Sequence, residues 1–242
     1  MLRKFLTAMA LSALFFVPMN SAFAQSDAEI RDQVNKGTVS IITGGAGGEY
    51  VTNTYMKLAG DMAAVLDKQN VLRILPIMSY GPVQNIRDLL YLKGIDIGMV
   101  HSDVFTYLKQ KKLYPTAQNK LRFIVNLYDE PFHVIARQDI RQVKQLAGRK
   151  VVVGKPGSGG EMSAHTLFAV LGIKPKFVHY DWKTGIEKVR NGEAAAMVYA
   201  TPMPSKFLQQ VNGEGLHFLP LPASKSLLQT YQREALTSAD YP

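Results

Sequence analysis

The chain of 242 residues has no cysteine, so it can form neither a disulfide framework nor a thiolate metal site. Its stability must come from packing alone. It contains one tryptophan and five histidines, and the histidines show no metal-ligand spacing; no metal and no cofactor are expected. No apolar run reaches the roughly 20 residues a membrane-spanning helix needs. The chain also lacks clustered charge. The formal net charge is +9, but the basic residues are spread, with Lys109-Gln110-Lys111-Lys112 and Arg149-Lys150 as the small exceptions. No aromatic and basic interleaving accompanies them, which argues for a solvated surface and against nucleic acid.

The first residues form a complete export signal. Arg3-Lys4 precede an apolar run from Phe5 to Val17, and Ala22-Phe23-Ala24 offers a small-x-small cleavage site. Residues 1–24 are therefore expected to be a signal peptide, with the mature chain beginning at Gln25 and residing in the periplasm.

Beyond Lys36, strand and helix patterns alternate with short connections, the pattern of an α/β architecture with largely parallel strands. The chain is organised around Thr43-Gly44-Gly45-Ala46-Gly47-Gly48-Glu49-Tyr50. The β-branched run Val39-Ser40-Ile41-Ile42 leads in; Tyr50, Val51, Leu58, Ala59, Met62, Ala63 and Leu66 follow at helical spacing. A glycine loop on such a strand-to-helix turn lets a ligand oxygen approach free backbone N–H groups at the positive end of the helix dipole. The arrangement recurs: Lys150-Val151-Val152-Val153-Gly154 leads into Lys155-Pro156-Gly157-Ser158-Gly159-Gly160-Glu161, and Met162, Leu167, Phe168, Val170 and Leu171 follow at helical spacing.

Between the loops, the pattern predicts a strand over Val71 to Ile77, a helix opened by Pro82 and ended by Gly94, a strand over Ile95 to Val100, and a short helix from Asp103 capped by Ser102. Leu121 to Leu127 and Phe132 to Ala136 are apolar runs separated by Asp129-Glu130-Pro131, a break suited to a crossing between lobes. Later come a short helix over Ile140 to Leu146, a strand over Lys176 to His179, a helix from Thr184 with a Thr184 and Glu187 capping box, and a strand over Ala194 to Tyr199. Trp182 is expected to pack at a lobe surface. Thr201-Pro202-Met203-Pro204 suggests a second crossing.

Several familiar signatures fail. Tyr50 stands where a dinucleotide fingerprint wants its third glycine, and the second loop lacks the Gly-Lys-Ser/Thr end of a phosphate loop. Pro156-Gly157-Ser158-Gly159-Gly160 is one residue short of a Gly-x-Ser-x-Gly nucleophile elbow, with His165, His179 and His217 as conceivable bases. The Ser158 and Glu161 pair, in the spacing of a capping box, explains the serine without chemistry.

In order and spacing, Thr43-Gly44-Gly45 with Gly47-Gly48 and Tyr50, Asn85, the Gly94-Ile95-Asp96-Ile97-Gly98 run with Ser102-Asp103, Glu130-Pro131-Phe132, and Gly148 to Gly154 leading to Pro156-Gly157-Ser158-Gly159 make a set. From about Gly37 to its end the chain resembles the TAXI proteins, the extracytoplasmic solute receptors of TRAP transporters. The resemblance implies a two-lobe periplasmic-binding-protein fold of the second type, a small organic acid or amino acid as ligand, and a TRAP-type membrane permease as partner. Ala46, Glu49, Pro82 and Gly160 stand where that family commonly has threonine or serine, and Ala195 where it usually has aspartate. The family also runs on beyond Asp240-Tyr241-Pro242, so a shortened C-terminal part is expected.

These readings combine into a non-catalytic receptor with lobe 1 over residues 25–128, residues 205–242 returning to it, and lobe 2 over residues 129–204. The candidate ligand-binding residues are Thr43, Gly44, Gly45, Gly48 and Tyr50 in the first loop, Ser79, Tyr80, Gly81 and Ser102, and Gly157, Ser158, Gly159 and Gly160 in the second. Two rival classes are an exported serine hydrolase centred on Ser158 and a degenerate receptor acting as a protein-interaction or sensor module.

Overall fold

Ser26 opens the first helix, α1 (Asp27–Asn35), through a reciprocal cap in which its hydroxyl accepts from the Glu29 N–H and the Glu29 carboxylate accepts from the Ser26 N–H. The sequence pattern left this helix unassigned. The structure, a computed structural model, describes residues 26–46, 54–69, 71–209, 215–237 and 239–241. The signal-peptide reading and the sites at Gly48 and Tyr50 lie outside the described residues. α1 belongs to a unit ending at Lys36; residues 37–242 form a second unit, described next.

Its first lobe is built on a three-stranded parallel sheet in the order β2-β1-β3, from β1 (Thr38–Ile42), β2 (Arg73–Ile77) and β3 (Ile97–Gly98). Crossovers through α2 (Thr54–Leu66) and α3 (Pro82–Tyr91) make the strands parallel. α3 begins at Pro82, where the missing N–H costs no hydrogen bond. β3 is shorter than the apolar run predicts, because the Asp96 carboxylate takes the Ser40 N–H (2.8 Å) and the backbone ladder starts only at Ile97. α4 (Val104–Lys111) follows Asp103, not Ser102, and Asp103 makes no side-chain cap because its carboxylate points elsewhere. After α5 (Ala117–Lys120) the chain runs to Pro131 without regular secondary structure, and Phe123 is 83% exposed.

The second lobe holds a five-stranded sheet in the order β6-β5-β7-β4-β8, made of β4 (Phe132–Arg137), β5 (Lys150–Val152), β6 (Lys176–Val178), β7 (Ala196–Ala200) and β8 (Leu216–Phe218). β5, β6 and β7 are parallel; β4 runs antiparallel to β7 and β8. α6 (Gly159–Leu171) and α7 (Trp182–Arg190) are its crossovers. α7 is capped by Asp181, whose carboxylate accepts from the Thr184 N–H (3.0 Å), so the helix starts earlier than a Thr184 cap would place it. Val134, Ala136, Val151 and Val198 face one core, while Ile135, Val152 and Met197 face another. This period-two alternation is what a sheet covered on both faces requires.

The expected return of residues 205–242 to the first lobe is not what the chain does. Leu208 of α8 (Lys206–Gln209) packs in the second-lobe core, β8 pairs with β4, and α9 (Lys225–Leu228) brings Leu227 into the core beside Phe168. Thr201 to Pro204, which contains a cis Met203-Pro204 bond, therefore joins elements of one lobe. The physical reason is the free edge of β4, whose backbone groups β8 satisfies. Residues 129–131 lead directly into β4.

Candidate functional site

Parallel strands of both lobes end at glycine loops, and the loops meet. At the end of β1, the Thr43 N–H and hydroxyl both bond the Ile77 carbonyl, at 2.9 and 3.0 Å. The Ala46 N–H donates to the Ser79 carbonyl (2.9 Å), which ties the first loop to the segment ahead of α3. Beneath them lies Asn85, fully buried, whose amide donates to the carbonyls of Thr43 and Met99 and accepts from the Ser79 hydroxyl. One α3 side chain thus locks the ends of β1 and β3 and the Ser79 turn together. In the second lobe, the Ser158 hydroxyl accepts from the Glu161 N–H (3.3 Å) to cap α6, and the Glu161 carboxylate accepts from the Gly157 N–H.

The turn at Gly81 and the second loop touch across the cleft. A Cβ on Gly81 would strike the Gly157 carbonyl and lie 3.2 Å from the Gly159 nitrogen, and a Cβ on Gly159 would lie 2.6 Å from His101 Cε1. Backbone approach this close is open only to glycine. Between the lobes remains a cavity of about 130 Å³. Thr43, Gly44, Gly45, Tyr80 and Gly81 line it from the first lobe, and Ser158, Gly159 and Gly160 from the second. Gly159 and Gly160 begin α6, so their N–H groups have no intrahelical acceptor. Ser79, Ser102 and Gly157 stand outside the lining: Ser79 is buried in the Asn85 network, Ser102 is exposed, and Gly157 is held by Glu161.

The cavity also gathers residues that the sequence pattern did not single out as site residues. Tyr55, His101, Tyr128, Glu130, Trp182, Tyr199 and Thr201 all line it. Trp182 lies over Gly154 and Gly160, within 2.6 Å and 2.9 Å of where their Cβ atoms would be, and packs against Tyr199 with centroids 4.3 Å apart and ring planes tilted by 41°. Its place is the cleft rather than an outer lobe surface, because two glycines leave room for the indole. Glu130 sits on the crossing and accepts from the hydroxyls of Tyr55 and Tyr128, each at 3.2 Å, and its carboxylate is 3.2 Å from His101 Nε2. Burial, then the Glu130 charge, pushes the Tyr55 and Tyr128 hydroxyls well above the ordinary phenol range, so both stay protonated donors. Glu130 is the one carboxylate in the lining, and no lysine or arginine lies there among the described residues. Donors to an anion come instead from backbone amides.

Ser158 has its hydroxyl on the α6 cap. Among the described residues no hydrogen bond links it to a histidine: His179 bonds the Gly154 carbonyl, His217 the Ile140 carbonyl, and His165 packs its ring on Phe177. The elements of a nucleophile elbow are not assembled. Among the described residues no helix is long and apolar enough to cross a membrane.

A model of the NMT1-like family matches residues 41–234. Among solved structures, the alkanesulfonate-binding protein SsuA from Xanthomonas axonopodis pv. citri bound to MOPS is 17% identical with a TM-score of 0.44, over 76% of this chain and 60% of that one. The GluR0 ligand-binding core from Nostoc punctiforme in complex with L-glutamate is 14% identical with a TM-score of 0.49, over 76% and 80%. The periplasmic VFT2 domain of Bordetella pertussis BvgS is 16% identical with a TM-score of 0.46, over 81% and 80%. The chain thus spans 60% of the length of the sulfonate-binding protein it matches. Two α/β lobes, with β1 at the centre of the parallel trio in the first and β5 in the second, and a cavity between them, make the two-lobe binding-protein architecture expected from the sequence.

Proposed function

The chain belongs to the NMT1-like family, and on that premise we propose that it is a non-catalytic extracytoplasmic solute receptor that holds a small organic acid or amino acid between its lobes. The observation that carries this reading is the interlobe cavity of about 130 Å³ into which both glycine loops turn. A carboxylate is served by the N–H groups of Gly159 and Gly160 at the start of α6 and by the turn at Gly44 and Gly45. The aromatic side chains around Glu130 suit the rest of the solute, including an ammonium group if it has one. The finer assignment is to the TAXI receptors, with delivery to a TRAP-type permease in the membrane and export through the cleavable leader. Lobe closure then bends the chain at Asp129-Glu130-Pro131.

A thermal-shift screen of organic acids and amino acids, followed by calorimetry, tests the proposal. A solute raising the melting temperature and binding at one site per chain is the expected result. A complete screen without a binder would overturn it.

A further inference from the structure

Beside the cavity a chain of polar groups crosses from one lobe to the other. Glu130 Oε2 is 3.2 Å from His101 Nε2, His101 Nδ1 is 2.9 Å from Ser163 Oγ, Ser163 Oγ is 3.0 Å from Asp103 Oδ1, and the Tyr231 hydroxyl is 2.8 Å from Asp103 Oδ2. His101 and Asp103 belong to the first lobe. Ser163 is on α6 and Tyr231 follows α9, both in the second. Asp103 and Ser163 are buried. The network therefore exists only while the lobes are together.

Its hydrogens can be counted. Tyr231 supplies the hydrogen for its own bond to Asp103. Three links remain, and each requires one hydrogen between its two heavy atoms. Ser163 brings one, and a neutral imidazole brings one. With Glu130 and Asp103 ionised, one link is left as two lone pairs facing each other. We infer that the closed cleft is a binding site for one proton, held on His101 between Glu130 and Ser163, and that closing the lobes takes this proton up. The ring is the right place for it. Glu130 already accepts from Tyr55 and Tyr128, and Asp103 from Ser163 and Tyr231. Both carboxylates are thus surrounded by donors to their ionised forms.

The groups facing His101 are Glu130 and Tyr128 from the crossing, Tyr55 of α2 (ring centroids 5.8 Å apart), Asp103 through Ser163, and Gly159 at the start of α6. With the lobes apart, Ser163 leaves, and a neutral imidazole with its hydrogen on Nε2 satisfies Glu130 by itself. The solute of the proposed receptor is therefore captured together with a proton, and capture weakens as protons become scarcer. This inference rests on the receptor reading for its consequence, not for its test.

The test needs no solute. Tyr80 Cβ lies 3.7 Å from where a Cβ on Gly157 would be, inside the disulfide range of about 3.5 to 4.5 Å, and the chain has no cysteine to compete. Tyr80→Cys with Gly157→Cys locks the lobes together when oxidised; because Gly157 has φ +78°, where a side chain is strained, urea unfolding first establishes that the double variant folds, and the same histidine spectra of the unlocked parent against Ser163→Ala carry the test if it does not. Nitrogen NMR of the histidine rings then reads the protonation of His101, whose signal is identified by its loss in His101→Gln. In the locked protein at pH 7.5, both ring nitrogens of His101 should carry hydrogen. Adding Ser163→Ala should leave a neutral ring protonated on Nε2 alone. A neutral His101 in the locked protein with Ser163 present, or a doubly protonated one in both, overturns the inference. A failed solute screen would sink the receptor reading and leave this result untouched.

Discussion

Replacing Gly159 by alanine separates the stability of a lobe from the closure of the cleft. Gly159 is the first residue of α6, and alanine inside a helix is favoured over glycine by roughly 0.5–1 kcal/mol, so the lobe itself should be unharmed or slightly stabilised. Across the cleft the effect has the opposite sign. The added methyl would lie 2.6 Å from His101 Cε1, against about 3.4 Å for ordinary contact, so the ring must retreat by roughly 1 Å. It cannot do so freely, because Nδ1 is tied to Ser163 and Nε2 to Glu130. Overpacking of this kind costs about 1–3 kcal/mol, and nothing else in the second lobe shares the cost. Solute affinity should therefore fall about 5- to 150-fold while the urea midpoint holds or rises. Calorimetry with the solute from the screen and urea unfolding of the free protein read the two halves. Unchanged affinity would refute the argument, and so would a urea midpoint that falls in step with affinity.

Ser158→Ala removes the cap on Glu161 and should cost about 0.5–2 kcal/mol of stability by urea unfolding, with no loss of any hydrolytic turnover. Burial holds His133 and His165 below the ordinary imidazole range; the unfolded chain binds protons the folded one refuses, so stability is kept above about pH 6.5 and lost as pH falls, by at most about 1.4 kcal/mol per pH unit for each ring. His165→Phe should flatten that slope in urea midpoints taken between pH 7.5 and 5.5. Export through the leader predicts an intact mass for the periplasmic protein that starts at Gln25, and a mature protein retaining Met1 would count against it.

Much of the fold was legible because its causes are local. The alternation in Lys150-Val151-Val152-Val153, the proline opening α3 and the two glycine loops all act within a few residues, and the observed β5, α3 and α6 stand where those signals put them. Two errors arose where a distant partner competed: Asp96 shortened β3 by taking the Ser40 N–H, and β8 was drawn to the free edge of β4. The third was local, because two cap signals stood three residues apart and Asp181 rather than Thr184 capped α7. Of the lining, Thr43, Gly44, Gly45, Tyr80, Gly81, Ser158, Gly159 and Gly160 could be named from the loops alone.

By itself the sequence determined the class of the molecule: an α/β chain with two strand-to-helix glycine turns, no cysteine chemistry and no membrane-spanning run, because propensity, periodicity and composition need no knowledge of distant neighbours. Only the tertiary structure decided which side chains meet. His101, Glu130, Ser163, Asp103 and Tyr231 are scattered over 131 positions, from residue 101 to 231, and nothing in their spacing relates them. They form one network because α4 packs on α6 and the crossing at Glu130 passes beside both. A buried polar group must find its partner wherever packing brings one, and that choice is made by the assembled lobes rather than by any stretch of chain.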